Sequence, residues 1–138
     1  MKRFFLLTLA SAALLGASAA PVKTYEVKSP DGRLALVLTA GERLSFTVAR
    51  DGETLVAPSE MALTLSTGEV LGESPRVRSA RRRAVTETID APLYRQSRFD
   101  AAYNELDLRL RGDYGILARA YDDGVCYRFY TERDGELT

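Results

Sequence analysis

The sequence predicts an all-β protein, and three observations carry that prediction. Beyond the N-terminus, apolar residues recur with period two, as in Leu34, Leu36, Leu38 and again in Leu106, Leu108, Leu110. Glycine-bearing turn signals recur along the chain, at Asp31-Gly32, Asp51-Gly52, Thr67-Gly68, Gly112-Asp113 and Asp123-Gly124. No segment after Pro21 carries an apolar stripe of helical period. Short strands with regular turn signals point to an antiparallel β-sandwich.

A targeting segment precedes the strands. Lys2 and Arg3 are followed by an apolar run over residues 4–15, broken only by Thr8 and Ser11, and then by Ala17-Ser18-Ala19. This is the pattern of a secretory signal peptide, a helix occupying residues 1–19. The cut falls after Ala19, because a cut after Ala20 puts the rigid Pro21 behind the scissile bond. The run is too short to cross about 30 Å of hydrocarbon, and no cysteine follows it to take a lipid. The expected product, residues 20–138, is periplasmic or secreted and has no membrane contact after cleavage.

Composition removes several function classes. Lys and Arg number 19, as do Asp and Glu, so the formal charge is zero; a nucleic-acid binder carries a basic excess. Histidine is absent, which excludes histidine zinc sites and Ser-His-Asp triads within these residues. Cys126 is the single cysteine, so no intrachain disulfide forms; it reads as a small buried residue, with no histidine to activate it.

The elements follow in order. Pro30-Asp31-Gly32 is a turn, with Pro presetting φ and Gly free to take positive φ. Leu34, Leu36 and Leu38 form one strand face and Leu44, Phe46 and Val48 the next, joined by Gly41-Glu42. Thr54-Leu55-Val56 is a short strand expected to stop at Pro58. Leu63 and Leu65 belong to another strand, with Leu63 buried. Residues 76–89 form one long strand or a bent pair, ended by Ala91-Pro92. Ser97-Arg98-Phe99-Asp100 reads as a loop or edge segment. Leu106, Leu108 and Leu110 alternate with Asp107 and Arg109. The Asp122-Asp123-Gly124 turn then joins residues 116–121 to a final strand, where Val125, Tyr127 and Phe129 take core parity. Glu132-Arg133-Asp134-Gly135 resembles one more turn with a strand to follow, so the domain reads as incomplete at its C-terminus.

Three clusters bear on chemistry. Asp122 and Asp123 offer two carboxylates, the currency of glycosidases, but adjacent hairpin residues diverge and Asp-Gly is a turn signal. Tyr103, Asn104 and Glu105 offer an aromatic face with amide and carboxylate groups. They are the candidate substrate-binding residues, and a hydrogen-bonded strand entry is the other reading. Arg81, Arg82 and Arg83 lie on a strand, so Arg81 and Arg83 share a face opposite Arg82. They read either as an anion patch or, preferably, as a solvated or domain-facing strand paired to acids such as Glu87. No catalytic or metal-binding residue is assigned.

The ordered set of Ser29-Pro30-Asp31-Gly32, the Arg run before Glu87-Thr88, Tyr103-Asn104-Glu105-Leu106 and Tyr121-Asp122-Asp123-Gly124-Val125 resembles the N-terminal domain of glycoside hydrolase family 97. One departure is Ala102, where the family often has histidine. The resemblance implies part of a galactose-mutarotase-like β-super-sandwich that precedes a (β/α)8 catalytic barrel in an exported bacterial α-glucosidase or α-galactosidase. It implies an oligo- or polysaccharide substrate, calcium in the full-length enzyme and no catalytic residue in this region. A stand-alone carbohydrate-binding sandwich and a structural or adhesion module are the rival readings.

Overall fold

The computed structural model describes residues 21–90, 92 and 98–134; the signal segment, Ala91, Ser97 and Gly135 lie outside the described residues. Those described residues form ten strands and no helix. β1 (Lys23–Lys28), β2 (Leu34–Ala40), β3 (Leu44–Arg50) and β4 (Glu53–Glu60) make one four-stranded sheet in that order. β5 (Leu63–Thr64) and β6 (Val70–Leu71) pair only with each other. β7 (Val77–Asp90), β8 (Arg98–Leu110), β9 (Tyr114–Ala120) and β10 (Val125–Thr131) make the second sheet, ordered β10-β9-β8-β7. All pairings are antiparallel, and within each sheet chain neighbours are sheet neighbours.

Local chemistry sets the turns. Gly32, at φ 75°, donates to the Ser29 carbonyl at 2.9 Å. Ser29 Oγ in turn accepts the Leu34 N–H at 2.9 Å, fixing where β2 begins. Asp51 and Gly52 both have positive φ, 51° and 85°. That mirror-image turn matches the right-handed twist of the β3–β4 hairpin.

Both sheets lay one face on a common core. Leu36 and Leu38 of β2, Leu44 and Val48 of β3, Leu106, Leu108 and Leu110 of β8, and Ile116, Ala118 and Ala120 of β9 belong to one buried cluster. Each fully buried Leu or Ile contributes about 1.5–3 kcal/mol. Met61, just before β5, and Leu71, in β6, join the same cluster, and Phe46 and Phe129 pack against it. Leu34 is buried as expected.

Several expectations are corrected. β4 runs through Pro58 instead of stopping there. It is a sheet edge, and Ala57 and Pro58 together oppose Thr47 in a bulge, so the missing N–H breaks no ladder bond. Leu63 is 42 % exposed, because β5 pairs only with β6 and its outer side faces solvent. Of the two readings of residues 97–100, loop or edge segment, the edge one holds for Arg98, Phe99 and Asp100: they are strand, paired with Asp90, Ile89 and Thr88 on one side only. Cys126 is exposed; it alternates with the core-facing residues and points off the outer face. Tyr127 has core parity but is 40 % exposed at the sheet edge, where its ring packs 5.2 Å from Phe46 of the other sheet.

Candidate functional site

Of the residues singled out as candidates, Arg81, Arg83, Tyr103 and Glu105 lie on the outer face of the second sheet. Strand register assembles that face row by row. Arg83 of β7 stands opposite Glu105 of β8, which stands opposite Arg119 of β9, which stands opposite Cys126 of β10. The next row is Arg81, Asp107, Leu117 and Arg128. The alternate residues Leu106, Leu108, Ile116 and Ala118 face the core.

Glu105 is the centre of the face and is only 3 % exposed. Arg83 Nε donates to its Oε1 at 2.6 Å, and Arg119 Nε donates to its Oε2 at 2.8 Å. Burial pushes the carboxyl up, but hydrogen bonds and charge from the two arginines outweigh burial and hold it below the ordinary glutamate value. The group is therefore a fixed anion. A general acid needs a proton near neutral pH, and this environment removes it.

Tyr103 is 2 % exposed, with the Arg119 guanidinium 4.5 Å above its ring and the Tyr121 ring 4.9 Å away. Its hydroxyl donates to Glu87 Oε1 at 2.9 Å. Burial and that bond raise its pKa. Asn104 projects to the opposite face of β8, and its Nδ2 donates to the Lys28 carbonyl of β1 at 2.8 Å. The structure thus brings Tyr103 and Glu105 together and sends Asn104 between the sheets, all three in mid-strand. Glu87 serves Tyr103, while the acid that pairs with the Arg run is Glu105.

Arg82 behaves as alternation predicts: it faces away from Arg81 and Arg83 and donates to the Glu26 carbonyl at 2.9 Å. Asp122 is an acceptor for the backbone N–H of Asp31 at 2.9 Å. Sequence reasoning missed Arg119. Its signal was parity with Tyr121, two residues on, but only register places it against Glu105. Tyr130 faces the same way as Cys126 and Arg128, as its parity predicts; its ring lies over Gly115 and its hydroxyl donates to Asp107 Oδ1 at 2.5 Å. Among the described residues no group of three or more His, Cys, Asp or Glu side chains gathers for a metal.

By fold, this is an all-β domain of two antiparallel meanders that share one core. The chain belongs to the glycosyl-hydrolase 97 N-terminal family, whose model matches residues 27–138. It is 37 % identical over 110 residues to a retaining α-galactosidase of Bacteroides thetaiotaomicron, a match covering 80 % of this chain and 17 % of that protein. A glycoside hydrolase family 97 enzyme from Pseudoalteromonas sp. strain K8, solved with panose, superposes with a TM-score of 0.72 at 17 % identity, covering 80 % of this chain and 18 % of that one. A β-arabinopyranosidase gives the same TM-score and coverage at 20 % identity. At these identities the solved structures show a shared fold. The chain spans under a fifth of the length of each relative.

Proposed function

We propose that this chain is the N-terminal, non-catalytic, carbohydrate-associated domain of an exported α-glycosidase of the α-glucosidase or α-galactosidase type. It would support a following (β/α)8 barrel and form part of the wall of its sugar pocket. One observation carries the reading: the family match fills residues 27–138, yet the α-galactosidase it resembles is mostly sequence beyond the matched part. The locked state of Glu105 supports it, since a carboxylate held ionised by two arginines neither protonates a leaving group nor attacks a sugar.

Within this reading, residues 1–19 are a removed signal peptide and the two sheets belong to a larger β-super-sandwich. Tyr103, Asn104 and Glu105 remain the candidate substrate contacts. Their polar atoms are engaged by Glu87, the Lys28 carbonyl and the two arginines, so direct sugar contact requires exchange of those partners. In this reading calcium belongs to the rest of the enzyme.

The test is hydrolysis of an aryl α-galactoside and an aryl α-glucoside by residues 20–138 and by the polypeptide that continues into the barrel. Turnover is expected only from the longer protein. Turnover by residues 20–138 that disappears in Glu105→Ala or Asp122→Ala defeats the proposal.

A further inference from the structure

The outer face of the second sheet carries more ordered positive charge than its own fold uses. Glu105 holds Arg83 and Arg119 through their Nε atoms, which leaves the terminal nitrogens of Arg83 without a partner among the described residues. Arg81 and Arg128, one row away, make no hydrogen bond or ion pair with a described residue. These four guanidinia share an open depression of about 430 Å³ with Leu117 and two carboxylates, Glu105 and Asp107; Arg82 also lines it, though its own guanidinium is turned to the Glu26 carbonyl.

A buried carboxylate is a poor device for stability alone, because its desolvation offsets much of what its pairing returns. It does supply order. Arginines held by a fixed anion have less rotamer freedom left to lose on binding. The four cations are all arginine, whose planar fork takes carboxylates bidentately. Arginine is also enriched at interfaces where lysine is depleted.

The same face continues onto a projecting arm. The β9 pairing ends at Asn104, whereas β7 and β8 stay paired out to Asp90 and Arg98. On this arm Ile89 lies opposite Phe99, and they are 45 % and 39 % exposed. A two-stranded ribbon is marginal in water without cover.

We propose that this face docks the domain onto the larger remainder of its polypeptide. An acidic surface of that remainder sets carboxylates against Arg81, Arg83, Arg119 and Arg128, and an adjoining apolar rim covers Ile89 and Phe99. The inference rests on the functional reading above. Charge and size select the occupant. Four guanidinia against two carboxylates call for a partner that brings carboxylates. The relatives carry this unit as 17 or 18 % of one chain; in the proposed reading a far larger body is therefore tethered to it at high effective concentration. A second copy meeting face to face would oppose arginine to arginine.

Cys126 is the reporter. It is exposed, sits opposite Arg119 on this face and is the single cysteine of the sequence. The polypeptide that continues into the barrel is treated with N-ethylmaleimide, native and urea-unfolded, and labelling of the Cys126 peptide is followed by mass spectrometry. Glycoside hydrolysis is measured on the same sample. Relative to the unfolded protein, native Cys126 is expected to react at least about tenfold more slowly, a modest coupling free energy. The Arg81→Glu/Arg128→Glu double variant, which touches no ion pair of the domain, restores reactivity, as does high salt. Native Cys126 that reacts as fast as the unfolded form overturns the proposal. So does protection that survives charge reversal, or protection that fades on dilution, which would mark a second copy as the occupant. An active enzyme with an open Cys126 defeats the docking alone. A protected Cys126 in a polypeptide without glycosidase activity defeats the functional reading and leaves the docking standing.

Discussion

Asp122, in the last hairpin, accepts the backbone N–H of Asp31, in the first turn, at 2.9 Å across 91 residues of sequence. The two turn motifs at the ends of the domain are thus one contact in space. β1 and β2 flank the first turn and belong to one sheet; β9 and β10 flank the hairpin and belong to the other. This carboxylate, which tempts a catalytic reading, fastens one sheet to the other.

Asp122→Ala is expected to lower stability by about 1 kcal/mol, the net worth of one hydrogen bond. Asp122→Asn keeps an oxygen acceptor and is expected to cost less. Urea unfolding of both variants checks this. Equal midpoints for Asp122→Ala and the parent would show that the contact contributes nothing.

Glu105 makes stability depend on acid. An unfolded glutamate titrates near 4.3, and the folded one is held lower by Arg83 and Arg119 in spite of its burial. A depressed folded pKa gives stability that is fully present above the unfolded value and is lost as pH falls through the folded one. Glu105→Gln should therefore flatten the loss of stability below about pH 4.3. At neutral pH it should cost about 2 kcal/mol, less than a fully buried pair, because Arg83 is 65 % exposed and screened by solvent. Denaturation midpoints across that range read both effects, and an unchanged acid limb would remove Glu105 from the account.

Tyr130 acts at the alkaline end. Burial first, then its bond to Asp107, pushes its pKa up to about 12. Unfolded tyrosine ionises near 10, so between about pH 10 and 12 the unfolded chain gives up a proton that the folded chain keeps. Stability falls over that interval. Tyr130→Phe should reduce the fall without abolishing it, since Tyr103 and Tyr114 are shifted the same way. Circular dichroism melts at rising pH measure the slope, and a slope no shallower in the variant would contradict the assignment.

Period two was enough to find the strands that build the core, because Leu36, Leu38, Leu106 and Leu108 each bury on one side while their neighbours, among them Val37, Glu105 and Asp107, face the other way. It failed where burial depends on what lies alongside a strand. Leu63 and Tyr127 have the right parity but stand at sheet margins. The edge position of β4 let Pro58 remain in a strand, and no local signal announces an edge. The candidate site was half legible. Parity alone put Arg81 and Arg83 on one face and Arg82 on the other. The bond between Glu105 and Arg119 needed the β8–β9 register, which is set by a whole-sheet fit.

The glycines separate local signal from tertiary demand. The Asp-Gly of the last hairpin is a turn signal, yet Gly124 does not take positive φ, and an added Cβ would meet nothing within 4 Å. Gly72, which no turn signal singles out, has φ 104°, and a Cβ there would lie 2.3 Å from the Met61 carbonyl oxygen. Its own carbonyl accepts the Leu44 N–H at 2.8 Å, and its N–H donates to the Tyr114 hydroxyl at 3.2 Å. Backbone crowding of this kind has no flexible side chain to give way. Gly72→Ala is therefore expected to cost about 3 kcal/mol or more through strain and a displaced Met61, while Gly124→Ala stays within about 0.5 kcal/mol of the parent. Thermal melts of the two variants side by side decide the matter. A Gly124→Ala loss as large as that of Gly72→Ala would mean that the hairpin needs its glycine after all, and that the join between Met61, Gly72 and Leu44 is looser than drawn.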